Sequence, residues 1–108
     1  METKVEVKTP LRLADELTYG KEEILNKPVI GGNGGSVTLL AFDKGTMIAR
    51  HQADADVMVY VLEGAIEFEV EDQRQHLTAG NALVMPPNTP HTVLALEKSK
   101  VLLTKIKA

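Results

Sequence analysis

The chain carries three histidines, His51, His76 and His91, and no cysteine. Imidazole can ligate a metal as a neutral group, polarise a bound carbonyl or exchange a proton near neutral pH. With thiols absent, disulfides, sulfur nucleophiles and zinc–thiolate sites drop out together, and any metal would rest on nitrogen, oxygen or methionine sulfur. Catalytic zinc and iron sites generally use three protein ligands and leave other positions to water and substrate. His51 is followed by the oxygen donors Gln52, Asp54 and Asp56, whereas His91 closes the run Pro86-Pro-Asn88-Thr-Pro-His91. His76 precedes Leu77, whose apolar side chain belongs inside, so His76 is expected to face solvent.

Other chemistries find less support. Gly31-Gly-Asn-Gly-Gly35 precedes a strand, lacks a following lysine and serine or threonine, and opens no helix, so it reads as a turn and not a phosphate loop. Asp54-Ala-Asp56 lacks the glycine and terminal glutamate of a calcium loop and reads as a solvated acidic turn. No serine stands in a nucleophile-elbow context, and Glu67 and Glu69 face outward, which leaves paired-carboxylate hydrolysis without a pair.

The elements that must position the histidines are short strands. Thr9-Pro10 before Leu11–Leu17 supplies a cap and a first-turn proline, which predicts one short helix. Strand-like segments then run over 22–30, 36–42, 57–62, 66–70, 73–77, 82–85, 92–96 and 101–106. Turn residues separate them at Gly31–Gly35, Asp43–Gly45, Glu63-Gly64, Glu71-Asp72 and Ala79–Asn81. Short strands at this spacing predict a sandwich or barrel.

Ile66-Glu-Phe-Glu-Val70 alternates strictly, so Ile66, Phe68 and Val70 should face the core. Val57–Leu62 does not alternate, which implies that both of its faces are covered. The face carrying Met58, Tyr60 and Leu62 therefore needs the N-terminal segment or a second subunit. If the stretch around His51 is extended, Met47, Ala49, His51 and Ala53 share one face. In the second motif, Pro87 fixes one φ and Asn88 tolerates the left-handed region, so a tight turn should precede His91.

These motifs, Gly45-Thr-Met-Ile-Ala-Arg-His51-Gln-Ala53 with Asp56-Val57 through Gly64, and Gly80 with Pro86–His91, resemble the two motifs of the cupin superfamily. The resemblance spans about two thirds of the chain. It implies an all-β, double-stranded β-helix (jelly-roll, RmlC-like) barrel with one short N-terminal helix. It also implies a division into an N-terminal helix and strand arm, 1–30, and a barrel, 31–108. Cupins usually hold a divalent metal with two histidines, a glutamate and a further histidine. Here His51 matches the first ligand and His91 the last. Ala53 stands where the second histidine belongs and Val57 where the glutamate belongs. Asn88 replaces a usual glycine, and Ala95 a usual asparagine.

The resemblance thus places His51 and His91 together in an otherwise apolar cavity lined by Met47, Ala53, Val57 and Met85. Continuing the two-residue register backward from Val57 puts Asp54 and Asp56 outside. A bulge could turn Asp56, next to the lost ligand position, inward as a third metal ligand. Met47 and Met85 could add soft sulfur suited to copper(I), although methionines in a β-barrel serve more often as gap-fillers. Two histidines could also be plain hydrogen-bonded core residues, their apolar neighbours then making a dry pocket. The cofactor expectation is either none or a weakly held divalent metal such as iron, manganese, nickel, zinc or copper.

Composition narrows the partners. At 108 residues, 44% hydrophobic and 25% charged, the chain fits one soluble globular domain. A net charge of −3 gives no field for nucleic acid or anionic lipid, and no aromatic platform is offered for bases. No apolar run is long enough to span a bilayer, and the first residues lack the core of a signal peptide, so a cytoplasmic location is expected. The leading expectation is a homodimeric cupin that binds a small organic ligand through His51 and His91. The alternatives are a metal-dependent enzyme (dioxygenase, isomerase or decarboxylase type) using His51, His91 and Asp56, and a non-catalytic structural dimer.

Overall fold

The computed structural model describes residues 5–107. After a single 3-10 turn at Leu13–Asp15 come nine strands: β1 (Ile24–Gly32), β2 (Gly35–Phe42), β3 (Met47–His51), β4 (Asp56–Glu63), β5 (Ala65–Val70), β6 (Gln73–Thr78), β7 (Ala82–Met85), β8 (His91–Ala95) and β9 (Ser99–Ile106). They form a five-stranded sheet in the order β1-β2-β9-β4-β7, facing a four-stranded sheet in the order β3-β8-β5-β6. Every pairing is antiparallel. The order interleaves early and late strands, as a jelly roll does, so the core is built from residues far apart in sequence. None of the helical residues among those described forms a span long and apolar enough to cross a membrane.

The core follows the alternation. Val57, Val59 and Val61 of β4 are buried, as are Ile66 and Phe68 of β5, Val93 and Ala95 of β8, and Val101 of β9. Burial of such side chains contributes about 1.5–3 kcal/mol each. Glu69, between Phe68 and Val70, meets water, while Glu67 is half-buried and lies 3.9 Å from the Arg74 guanidinium. Tight turns take residues that accept positive φ. Gly64 has φ 90°, and a Cβ there would run into the Ser99 hydroxyl, which is wholly buried and exchanges hydrogen bonds with the Ala65 backbone.

The helical turn begins at Leu13, with Arg12 at its N-terminus and no side-chain cap, so the Thr9-Pro10 pair precedes it and does not start it. This segment straps the outer face of the five-stranded sheet. Lys100 donates from Nζ to the Ala14 carbonyl and lies beneath the Tyr19 ring, Tyr19 donates to the Glu63 carboxylate, and Lys27 meets Glu16. Burial, reinforced by Glu63, pushes the Tyr19 phenol well above its ordinary pKa. The expected 1–30 boundary falls inside β1, which pairs along its length with β2 and is part of the sheet.

The strap leaves the other half of that outer face open. One cross-sheet row reads Ile30, Val37, Thr104, Met58 and Val84. Ile30, Met58 and Val84 of this row are exposed, as are neighbouring Tyr60 and Ile106. The double-faced apolar character of β4 is thereby only half accounted for within one chain.

Candidate functional site

His51 and His91 are direct partners across the β3–β8 ladder, their ring centroids 4.2 Å apart at an interplanar angle of 59°. His91 is buried, and Phe68 of the adjacent strand lies nearly parallel to its ring at 6.0 Å. His51 is exposed at the mouth. Each ring is fixed by its own chain: His51 Nδ1 lies 3.0 Å from the Ala49 carbonyl and His91 Nδ1 2.8 Å from the Thr89 carbonyl. A carbonyl only accepts, so both Nδ1 atoms carry hydrogen and donate. In the neutral form both Nε2 atoms are then free acceptors. Burial holds the His91 imidazole below its ordinary pKa; the bond to Thr89 opposes this, and electrostatic repulsion from the neighbouring His51 and Lys105 adds to it.

The turn before His91 is built by the predicted residues. Asn88 has φ 62°, the left-handed conformation it was expected to take. Its backbone N–H donates to the Ala53 carbonyl at 2.7 Å, and its side-chain amide meets Asp54 at 3.4 Å and Gln52 at 3.5 Å. Thr89 Oγ1 closes the turn on the Pro86 carbonyl at 2.8 Å. The two histidine motifs are therefore stitched together through their loops as well as through the ladder.

The paired rings close one end of a cavity of about 40 Å³ whose other walls are apolar, among them Leu40, Ile48, Val59, Phe68 and Leu103. That volume holds a few water molecules and lies far below the roughly 300–1,000 Å³ of ordinary ligand pockets.

The structure places the other expected site residues as follows. Val57 and Met85 face one another in the core, and neither lines the histidine cavity. Ala53 packs at the edge of the core, beneath Asn88. Met47 is 63% exposed, contrary to the expected shared face. The cause is a bulge: Ile48 pairs with Val93 and His51 with His91, so β3 advances three residues while β8 advances two. The bulge puts Ile48 in the cavity with His51 and turns Met47 outward. Asp56 does not turn inward as a third ligand. It is exposed, opposite Ile106 on the outer face of the five-stranded sheet, because β4 keeps strict alternation from Val57 backward. His76 is exposed on β6, opposite Glu67.

Among the described residues, no group of three His, Cys, Asp or Glu side chains converges. Two imidazoles could hold an ion loosely, but the three-ligand shell of a catalytic zinc or iron site does not fit the side chains present. Three residues escaped the sequence reading: Ile48 and Phe68 of the cavity wall, and Lys105, which stands outside the cavity but whose charge acts on His91. The alternation Val101, Leu103, Lys105 along β9 was the available signal for the last. No glycine or proline marks the bulge that brings in the first.

Comparison with known proteins agrees with the architecture. The family model for the cupin domain matches residues 38–106. No curated protein matches the chain. A conserved Streptococcus pyogenes protein of unknown function superposes with a TM-score of 0.92 at 27% identity, covering 100% of this chain and 96% of that one. A cupin superfamily protein from Desulfitobacterium hafniense superposes with a TM-score of 0.93 at 18% identity over the full length of both, a likeness of fold. KdgF from a Halomonas species is 31% identical with a TM-score of 0.74, covering 87% of this chain and 90% of that one. With interleaved strands, two histidines in register and a family match over most of its length, the chain belongs to the cupin domain family.

Proposed function

We propose that this cupin binds a small organic molecule at the mouth of its barrel, with His51 and His91 as the polar contacts and no tightly held metal. One observation carries the reading: the two imidazoles touch, and each has spent its Nδ1 hydrogen on a backbone carbonyl. Two free Nε2 acceptors on neighbouring rings beside an apolar wall favour a ligand with a hydrogen-bond donor at one end. The small interior accommodates only that end, so the rest of the ligand would lie at the open side, beside His51.

The test is metal analysis of tag-free protein by mass spectrometry, run with a thermal-shift screen of small alcohols, amides and acids against the wild type and a His51→Ala/His91→Ala variant. Protein carrying less than about a tenth of an equivalent of metal, stabilised by compounds that leave the double variant unmoved, supports the reading. Near-stoichiometric metal that disappears in the variant sinks it in favour of metal chemistry at the pair.

The reading includes a homodimer formed through the open half of the outer sheet face. The row Ile30–Val37–Thr104–Met58–Val84 carries no charged side chain, so a second copy related by a two-fold axis would meet it without unpaired charge. The strap fixed by Lys100 and Tyr19 covers the other half and would bound the interface.

A further inference from the structure

The cupin positions that ordinarily bring negative charge and an extra nitrogen to a cation are held here by Val57 and Ala53. Directly opposite Val57 on the ladder, and so on the same inward-directed side of the sheet, stands Lys105. Its other neighbour across the sheet is Ser36. Lys107, one residue past the end of β9, lines the same recess as Lys105, and its backbone N–H is fixed to the Gly34 carbonyl at 3.0 Å.

Together these residues border an open recess of about 270 Å³, lined by Gly32, Gly35 and Ser36 of the hairpin, Ala53–Ala55, and the two lysines. Ala53 is the joint between this recess and the histidine pair, since its carbonyl holds Asn88 two residues before Pro90-His91. The charges facing the recess are Lys105, Lys107 and Asp54, and the Asp54 carboxylate accepts the Asn88 side-chain amide. Asp56 lies on the opposite face of the sheet.

We infer that the barrel mouth has been inverted from a cation site to an anion site: Lys105 and Lys107 receive the carboxylate of a small organic acid whose remaining atoms reach toward His51 and His91. The inference rests on the proposed reading of the barrel as a ligand site and names the class of ligand. Physically, a divalent ion at the pair would find valine at the position of the usual carboxylate and a lysine as that valine's ladder neighbour, while an anion in the recess meets two ammonium groups against the single carboxylate of Asp54. Lysine suits this role as a mobile point charge, and it requires no fixed two-pronged geometry of the ligand. Because both lysines are exposed, the attraction should be sensitive to salt.

The experiment compares 3-hydroxypropionate with 1,3-propanediol, which share the three-carbon skeleton and the hydroxyl donor for the imidazoles and differ at the charged end, by protein-observed NMR titration of the full chain at low ionic strength. Wild type, Lys105→Gln, Lys105→Arg and, as a control in the turn at the other end of the sandwich, Lys44→Gln are titrated alike. The expected result is that 3-hydroxypropionate shifts the signals of Ala53, Lys105, Lys107 and both imidazoles, at least tenfold more tightly than propanediol. Binding should weaken at least fivefold in Lys105→Gln, hold in Lys105→Arg and Lys44→Gln, and fall as salt is raised. 3-Hydroxypropionate binding no tighter than propanediol, or binding untouched in Lys105→Gln, overturns the inference. If propanediol alone moves the imidazole signals, the barrel-ligand reading stands and the anion inference falls. If neither compound moves them, both fall.

Discussion

The backbone N–H of Asn88 is bonded to the carbonyl of Ala53 at 2.7 Å, and this one contact joins the loop after His51 to the turn before His91. It depends on the left-handed backbone at Asn88, with φ 62°. Asn88→Gly keeps that conformation and loses only the side-chain contacts to Asp54 and Gln52, so its denaturation midpoint should stay close to the wild type. Asn88→Val puts a β-branched residue where φ is positive and should cost about 1–3 kcal/mol. Urea unfolding of the two variants separates these outcomes; equal stabilities would show that the turn does not need its left-handed residue.

The His91 ring titrates against its surroundings. Its pKa lies below the ordinary 6.5, chiefly because the ring is buried. The unfolded chain therefore binds a proton at a higher pH than the folded protein does. The stability this contributes is complete above about pH 6.5 and is lost as pH falls through the depressed folded value, with a limiting slope of about 1.4 kcal/mol per pH unit for one group. Thermal or urea unfolding between pH 7.5 and pH 5 should show this loss. In His91→Phe, which keeps an aromatic ring beside Phe68, the loss should be smaller; an identical profile would assign the acid sensitivity to other groups.

Much of this was legible in the sequence. The strand from Ile66 to Val70 announced its faces by alternation, and the turn at Asn88 was readable because few residues other than glycine take that conformation. The meeting of His51 and His91 followed from two motifs whose spacings belong to one fold. The face of Met47 did not follow, because the bulge between Ile48 and His51 is enforced by pairing with β8, and the run Ile48-Ala-Arg-His51 carries no local residue that demands it. The start of the helical turn was misplaced for a related reason. Its position is set by tertiary contacts, such as Lys100 with the Ala14 carbonyl, and not by the Thr9-Pro10 cap.

Replacing both histidines by alanine should leave the barrel folded. His51 is exposed, and His91 makes one hydrogen bond, to a backbone carbonyl, beside its stacking on Phe68. The double variant should lose about 1–3 kcal/mol of stability, within the common range for single-site changes, and retain the wild-type circular dichroism spectrum. Its binding of any small molecule that stabilises the wild type should be abolished. Collapse of the fold would instead make the pair a structural element of the core.

The open half of the five-stranded sheet should decide the oligomeric state. Met58 and Val84 are paired across β4 and β7 and are 39% and 67% exposed, on a row that carries no charge. Sedimentation velocity at micromolar concentration should find the wild type dimeric. Lysine at Val84 buries an unpaired positive charge in such an interface and should shift the protein to monomer, as should Met58→Lys. Lysine at Met47, equally exposed but on the other sheet, should leave the dimer intact. A wild type that sediments as a monomer, or a dimer disrupted only by the change at Met47, would move the interface off this face.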